Sequence, residues 1–159
     1  SRGLAGPLLD RMNKDKTMTN AATYNTETFR QAVRIHVLEW LSIPGMSNRR
    51  HIEPCGLWFT RDIRSCLCGY GGAELLPLLA GYEVRWTQAD RRLKAAASKA
   101  IIAELYAMVE EGLMQTERPD RFRRWFVTEG GRAWDEARKQ SERDELERLL
   151  KASRRSRRA

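Results

Sequence analysis

Three cysteines and one of the two histidines fall within eighteen residues: His51, Cys55, Cys66 and Cys68. Thiolate and imidazole are the ligands Zn²⁺ prefers. The spacing argues against zinc. Cys66 and Cys68 are separated by one residue rather than two, and on a continuous helix their side chains would point about 200° apart. No metal and no cofactor is expected. Buried cysteine packs as a small hydrophobe, and that is the expectation for this region. A redox-sensing pair is the alternative, and it would require a lowered thiol pKa and exposure. His36 lies beside an apolar helical stripe and reads as structural. Glu53, Asp62 and Glu74 do not have the spacing of a metal-binding carboxylate set. The sequence contains neither a Gly-rich phosphate loop nor a Gly-x-Ser-x-Gly elbow. The chain is therefore expected not to be an enzyme.

The chemistry that the sequence does offer is contact with phosphate. The formal net charge is +8, and Lys and Arg side chains that neutralise phosphates release condensed counterions. Arg118, Arg121, Arg123 and Arg124 lie within seven residues, around a Pro119-Asp120 turn. A second polar group, Arg91, Arg92, Lys94, Ser98 and Lys99, opens a long helical segment. The alternative for the first group is solvated charge covering an amphipathic hairpin.

The elements that would position these groups follow from periodicity. Phe29, Val33, Val37 and Leu41 recur every four residues, which predicts a helix over 26–43 capped by Asn25 or Thr26 and ended by Pro44-Gly45. Leu57 to Phe59 reads as a very short strand. Thr60 to Cys68 reads as a short helix with Thr60 as N-cap and Asp62 in its first turn. Ala73 to Ala80 reads as another short helix if Pro77 falls in its first turn. The longest helix is expected over 87–113, with Thr87-Gln88-Ala89-Asp90 near its start as a capping-box variant. Ile101, Ile102, Leu105, Met108 and Val109 form its apolar face, with Ile102, Leu105 and Val109 suited to the buried side, and Gly112 supplies its stop. Period two then predicts strands at Met114–Arg118 and Phe122–Val127, with Trp125 and Val127 sharing a face. Thr128 caps a last helix, which is expected to run to about Leu150.

In order, this half is a helix, Met108-Val109-Glu110-Glu111-Gly112-Leu113, a strand, the Asp120-Arg121 turn, a strand, Val127-Thr128-Glu129-Gly130-Gly131-Arg132 and a helix. Over residues 98–137, a quarter of the chain, it resembles winged-helix regulators of the MarR and PadR type. In such proteins a recognition helix ends in glycine, a two-stranded wing follows, and a Leu-Thr-Glu-x-Gly-Arg segment opens the next helix. Three features depart from that pattern. Some twenty residues separate the helix at Thr60–Cys68 from the long helix, so either an insertion interrupts the helix-turn-helix or Ala73–Ala80 is its first helix. The wing is about one residue shorter than usual, and Gly130 stands where a charged residue is common.

The resemblance implies a mainly α fold with a small β-hairpin: a winged helix-turn-helix with additional N- and C-terminal helices. It implies sequence-specific binding of double-stranded DNA by a bacterial, phage or plasmid transcriptional regulator. A helix fits the major groove, and a basic hairpin tip suits phosphate or a narrow minor groove. The expected contact residues are Arg91, Arg92, Lys94, Ser98, Lys99, Arg118, Arg121, Arg123 and Arg124. A homodimer through the terminal helices is expected. Two alternatives stay open, because a fold does not fix a function: a winged-helix module for protein–protein interaction or inhibition, and an accessory factor in DNA replication or processing.

The expected organisation is a flexible arm or appended segment at 1–24, one domain at 25–150 and a basic disordered tail at 151–159. Met18-Thr19-Asn20-Ala21-Ala22 reads as a natural start. No apolar run approaches the roughly 20 residues that cross a bilayer, no secretory leader is evident, and an odd cysteine count argues against a disulfide framework. No membrane partner and a cytoplasmic location are expected.

Overall fold

The computed structural model describes residues 23–41, 58–69 and 74–158. His51, Cys55, Glu53 and the 1–22 segment lie outside them. The described chain is mainly helical with a small antiparallel sheet. Its elements are α1 (Thr26–Leu41), β1 (Trp58–Phe59), α2 (Thr60–Cys68), α3 (Leu76–Ala80), a 3₁₀ turn (Trp86–Gln88), α4 (Arg91–Glu110), β2 (Met114–Glu117), β3 (Arg124–Val127) and α5 (Glu129–Arg158). No described helix is long and apolar enough to cross a membrane.

The chain forms two compact units, and α1, α2 and α4 each contribute a part to both. The first unit holds described residues 23–33, 64–69 and 74–103. It buries Phe29, Val33, Leu67, Leu76, Leu79, Leu93, Ala97 and Ile101. The Asn25 N–H donates to the Leu79 carbonyl (2.9 Å), and the Leu75 N–H to the Leu67 carbonyl (3.0 Å). α3 starts at Leu76 rather than Ala73, which puts Pro77 in its first turn, where the missing N–H is no loss. It ends at Gly81, whose φ of +83° closes the turn with an N–H bond to the Pro77 carbonyl.

The second unit holds described residues 34–41, 58–63 and 104–158. Val37, Leu38, Leu41, Ile63, Leu105, Met108, Leu113, Met114, Trp125 and Val127 are its buried apolar residues. β2 and β3 form an antiparallel hairpin with Met114 opposite Val127 and Thr116 opposite Trp125. β1 pairs with the other edge of β3, giving the order β1-β3-β2. Trp125 and Val127 share the buried face, as period two requires.

Several expected boundaries move. The helix expected from Thr87 begins at Arg91 instead, because the Asp90 carboxylate accepts the Leu93 N–H (2.9 Å) and makes Asp90 the cap. Thr87 falls in the separate 3₁₀ turn. The buried face of α4 holds Ile101, Leu105 and Met108 from the expected apolar set, but Ile102 is exposed and Glu104 is only 5% exposed. Glu104 sits on that face because the Arg34 Nε donates to it at 2.7 Å. The last helix continues through the basic segment to Arg158 rather than stopping at Leu150. Opposite charges four apart support it, as in Arg138–Glu142 (2.7 Å) and Lys151–Glu147 (3.8 Å). Its last-turn arginines face the negative end of the helix dipole.

Candidate nucleic-acid interface

The hairpin is anchored by the segments that flank it. α4 stops at Gly112, which takes φ +79°, a conformation glycine adopts without a Cβ penalty. The Leu113 N–H then reaches back to the Met108 carbonyl (2.8 Å). At the far end of the hairpin, the Thr128 hydroxyl donates to the Gly112 carbonyl (2.6 Å) and accepts the Gly131 N–H (3.0 Å). One side chain thus caps α5 and ties its start to the end of α4. The two glycines that follow are required sterically. A Cβ at Gly130 would meet the Gly112 carbonyl oxygen at 2.9 Å, and one at Gly131 would meet Val127 Cγ1 at 2.7 Å as well as the Leu113 carbonyl oxygen. This close approach explains why position 130 is glycine.

The turn between the strands is held by Asp120. Its Oδ1 accepts the Phe122 N–H (2.9 Å) and its Oδ2 accepts from Arg124 Nη2 (2.7 Å). The Thr116 hydroxyl donates to the Arg124 carbonyl (2.9 Å) and accepts from Arg123 Nη1 (3.2 Å). The Arg123 guanidinium also lies over the Tyr106 ring at 5.7 Å. That ring meets Trp125 edge-on at 5.1 Å, and the Trp125 indole N–H donates to the Thr60 hydroxyl (2.7 Å). Arg123 and Arg124 are therefore half-buried and engaged within the hairpin, whereas Arg118 and Arg121 are exposed. Arg121 lies 5.8 Å over the ring of Phe122, which is 57% exposed.

The nine expected contact residues divide between the units. Arg118, Arg121, Arg123 and Arg124 belong to the second. Arg91, Arg92, Lys94, Ser98 and Lys99 belong to the first, on the leading part of α4. There Arg91, Arg92 and Lys99 are exposed, while Lys94 and Ser98 are half-buried. Lys94 Nζ and the Arg64 guanidinium both lie 5.7 Å from the Trp86 ring centre. Trp86 borders a cleft of about 200 Å³ that Cys68, Glu74, Leu76, Val84 and Arg85 also line. Neither the Trp86 cation pair nor the exposed Phe122 was anticipated. Arg64 and Trp86 are too distant in sequence to form a local pattern, but an aromatic residue between Arg121 and Arg123 is itself a readable signal for nucleic-acid contact.

Cys68 is buried and Cys66 half-buried, both as thiols rather than disulfides. Burial pushes the Cys68 thiol up to about 12, the opposite of what a sensing or metal-binding thiolate requires. Among the described residues, no three His, Cys, Asp or Glu side chains gather where a metal could be held.

A charged centre supports the second unit. Arg34 bonds the buried Glu104 through Nε and Glu111 through both terminal nitrogens, and its guanidinium lies 5.8 Å from the Trp134 ring centre. The hydrogen bond from Arg34 is the main reason the Glu111 carboxyl is held below its ordinary value. Asp135, also buried, takes Arg138 (3.0 Å) and Lys139 (3.2 Å). Arg34 and Arg138 are thereby committed to the fold.

Comparison with protein-family models, with curated proteins and with solved structures returns no match to this chain.

Proposed function

We propose that the chain is a double-stranded DNA-binding protein of the winged-helix kind, a transcriptional regulator, with β2–β3 as the wing and α4 as the recognition helix. The observation that carries this reading is the basic turn of the hairpin. It lies between two helices, its backbone is fastened by Asp120, and it presents Arg118 and Arg121 to solvent. An exposed pair of guanidinia on a fastened turn suits phosphate oxygens, which accept bidentate hydrogen bonds. Arg91, Arg92 and Lys99, exposed on α4, supply further positive charge. In this reading α4 is the helix that reads base edges, the wing holds phosphate, and the protein acts as a homodimer.

A second reading, a module that binds another protein, draws on the exposed ring of Phe122 at the same turn. The arginines around that ring favour duplex. A mobility-shift assay on genomic fragments at physiological salt tests the choice. Retention of duplex, with some fragments preferred, is expected. Equal retention of all nucleic acids, or none, overturns the regulator reading.

A further inference from the structure

The end of α5 carries charge that the fold does not use. From Arg148 to Arg158 there are six basic residues and no acidic one. Every residue from Gln140 to Arg158 is exposed. Arg148 pairs with Glu145, and Lys151 with Glu147. Among the described residues, Arg154, Arg155, Arg157 and Arg158 have no carboxylate within ion-pair reach. At 100° per residue, Arg148, Lys151, Arg154, Arg155 and Arg158 fall within an arc of roughly 120°, and Arg157 falls outside it. Like charges three and four apart on a helix repel by a few tenths of a kcal/mol each, and the helix dipole offsets this only in the last turn. A one-sided cationic face is thus held at a small loss that no carboxylate among the described residues recovers.

We infer that this face is a second nucleic-acid contact, a helical arm that tracks the phosphates of duplex DNA independently of base sequence. The inference rests on the DNA-binding reading above and adds a site to it. Charge complementarity selects the partner: the face spans about 15 Å of helix, comparable to some four base pairs of duplex at 3.4 Å each. An anionic membrane surface fits less well. Membrane-surface helices bury an apolar face rich in leucine and aromatic residues. Here the apolar side consists of Leu146, Leu149 and Leu150 and passes into Ser153 and Ser156 beside the arginines, with no aromatic residue after Trp134.

The test uses the full chain with Arg154→Gln, Arg155→Gln and Arg158→Gln combined, its fold checked by circular dichroism. Binding to a random-sequence duplex is followed by fluorescence anisotropy from about 50 to 200 mM salt. The affinity at low salt is expected to fall tenfold or more, and the salt slope by about two to three, near 0.9 for each lost phosphate contact. Arg157→Gln alone is expected to leave the slope within about half a unit of the parent. A triple variant with the parent's slope overturns the arm, and the DNA reading then stands if Arg118→Gln with Arg121→Gln still lowers the slope. Failure of the parent chain to bind any duplex overturns both. Binding of the parent to phosphatidylserine vesicles at least as tightly as to duplex, lost in the triple variant, overturns the duplex assignment in favour of a membrane surface.

Discussion

Gly131 leaves no room for a methyl group, since a Cβ there meets the Leu113 carbonyl oxygen and Val127 Cγ1. Both neighbours are fixed, one as backbone and one as a β-branched strand residue, so relief requires α5 to move off the hairpin. Gly131→Ala is expected to destabilise the second unit by about 3 kcal/mol, at the upper end of overpacking, read as a lower urea midpoint with unchanged slope. The arginines of the turn separate in the same way. Arg121→Ala should leave stability within about half a kcal/mol and lower the salt slope of duplex binding by about one. Arg123→Ala should instead reduce stability by about 1 kcal/mol, because its guanidinium lies over Tyr106 and donates to Thr116. Equal stability losses in the two variants would show that the turn does not divide as described. Cys68 offers a third test at this scale. Its buried thiol, pushed up to about 12, should resist thiol reagents at pH 8 until the protein unfolds, and peptide mapping after labelling reads this directly.

At the scale of elements, α4 and α5 depend on what lies at their ends. Thr128 caps α5 while donating to the Gly112 carbonyl just past the end of α4. Thr128→Ala removes both bonds, and a loss of about 1 to 2 kcal/mol is expected, with Thr128→Ser recovering most of it. The Arg34 centre joins residues of α1 and α4 within the second unit. Glu104 is nearly inaccessible and bonds Arg34 at 2.7 Å. Glu104→Ala leaves a largely buried guanidinium short of a partner, which costs on the order of 3 kcal/mol. Glu111 behaves differently because it is half-exposed. Its carboxyl is held below the ordinary value, first by the hydrogen bond from Arg34. Its contribution is therefore full above the unfolded value of about 4.3 and is lost as pH falls through the lower folded value. The parent should be more stable than Glu111→Gln at neutral pH, and the difference should shrink toward zero in acid. Denaturation series at several pH values check the sign.

At the scale of the whole chain, a net charge of +8 includes cations of two kinds. Arg34, Arg124 and Arg138 are bound to carboxylates inside the second unit. Arg118, Arg121 and the arginines at the end of α5 face solvent. Only the second kind is available to a polyanion, so net charge by itself overstates the phosphate-binding surface.

Periodicity and turn chemistry located α1, α2, α3 and the hairpin in the sequence, because spacing on one face, Pro77 in a first turn and Gly112 at a helix end act over a few residues. Trp125 and Val127 on one buried face follow from the same short-range alternation. The choice of Asp90 over Thr87 as cap, the burial of Glu104 in place of Ile102, and the commitment of Arg123 and Arg124 to the hairpin came from the tertiary structure. Each depends on a partner that local spacing does not specify. Arg34 is seventy residues from Glu104, and Tyr106 reaches Arg123 only once α4 and the strands have packed. The basic run at the chain's end was plain in the sequence as composition. Its folding into a helix with one cationic face was not, because helix continuation there rests on side-chain pairs and the helix dipole rather than on an apolar stripe.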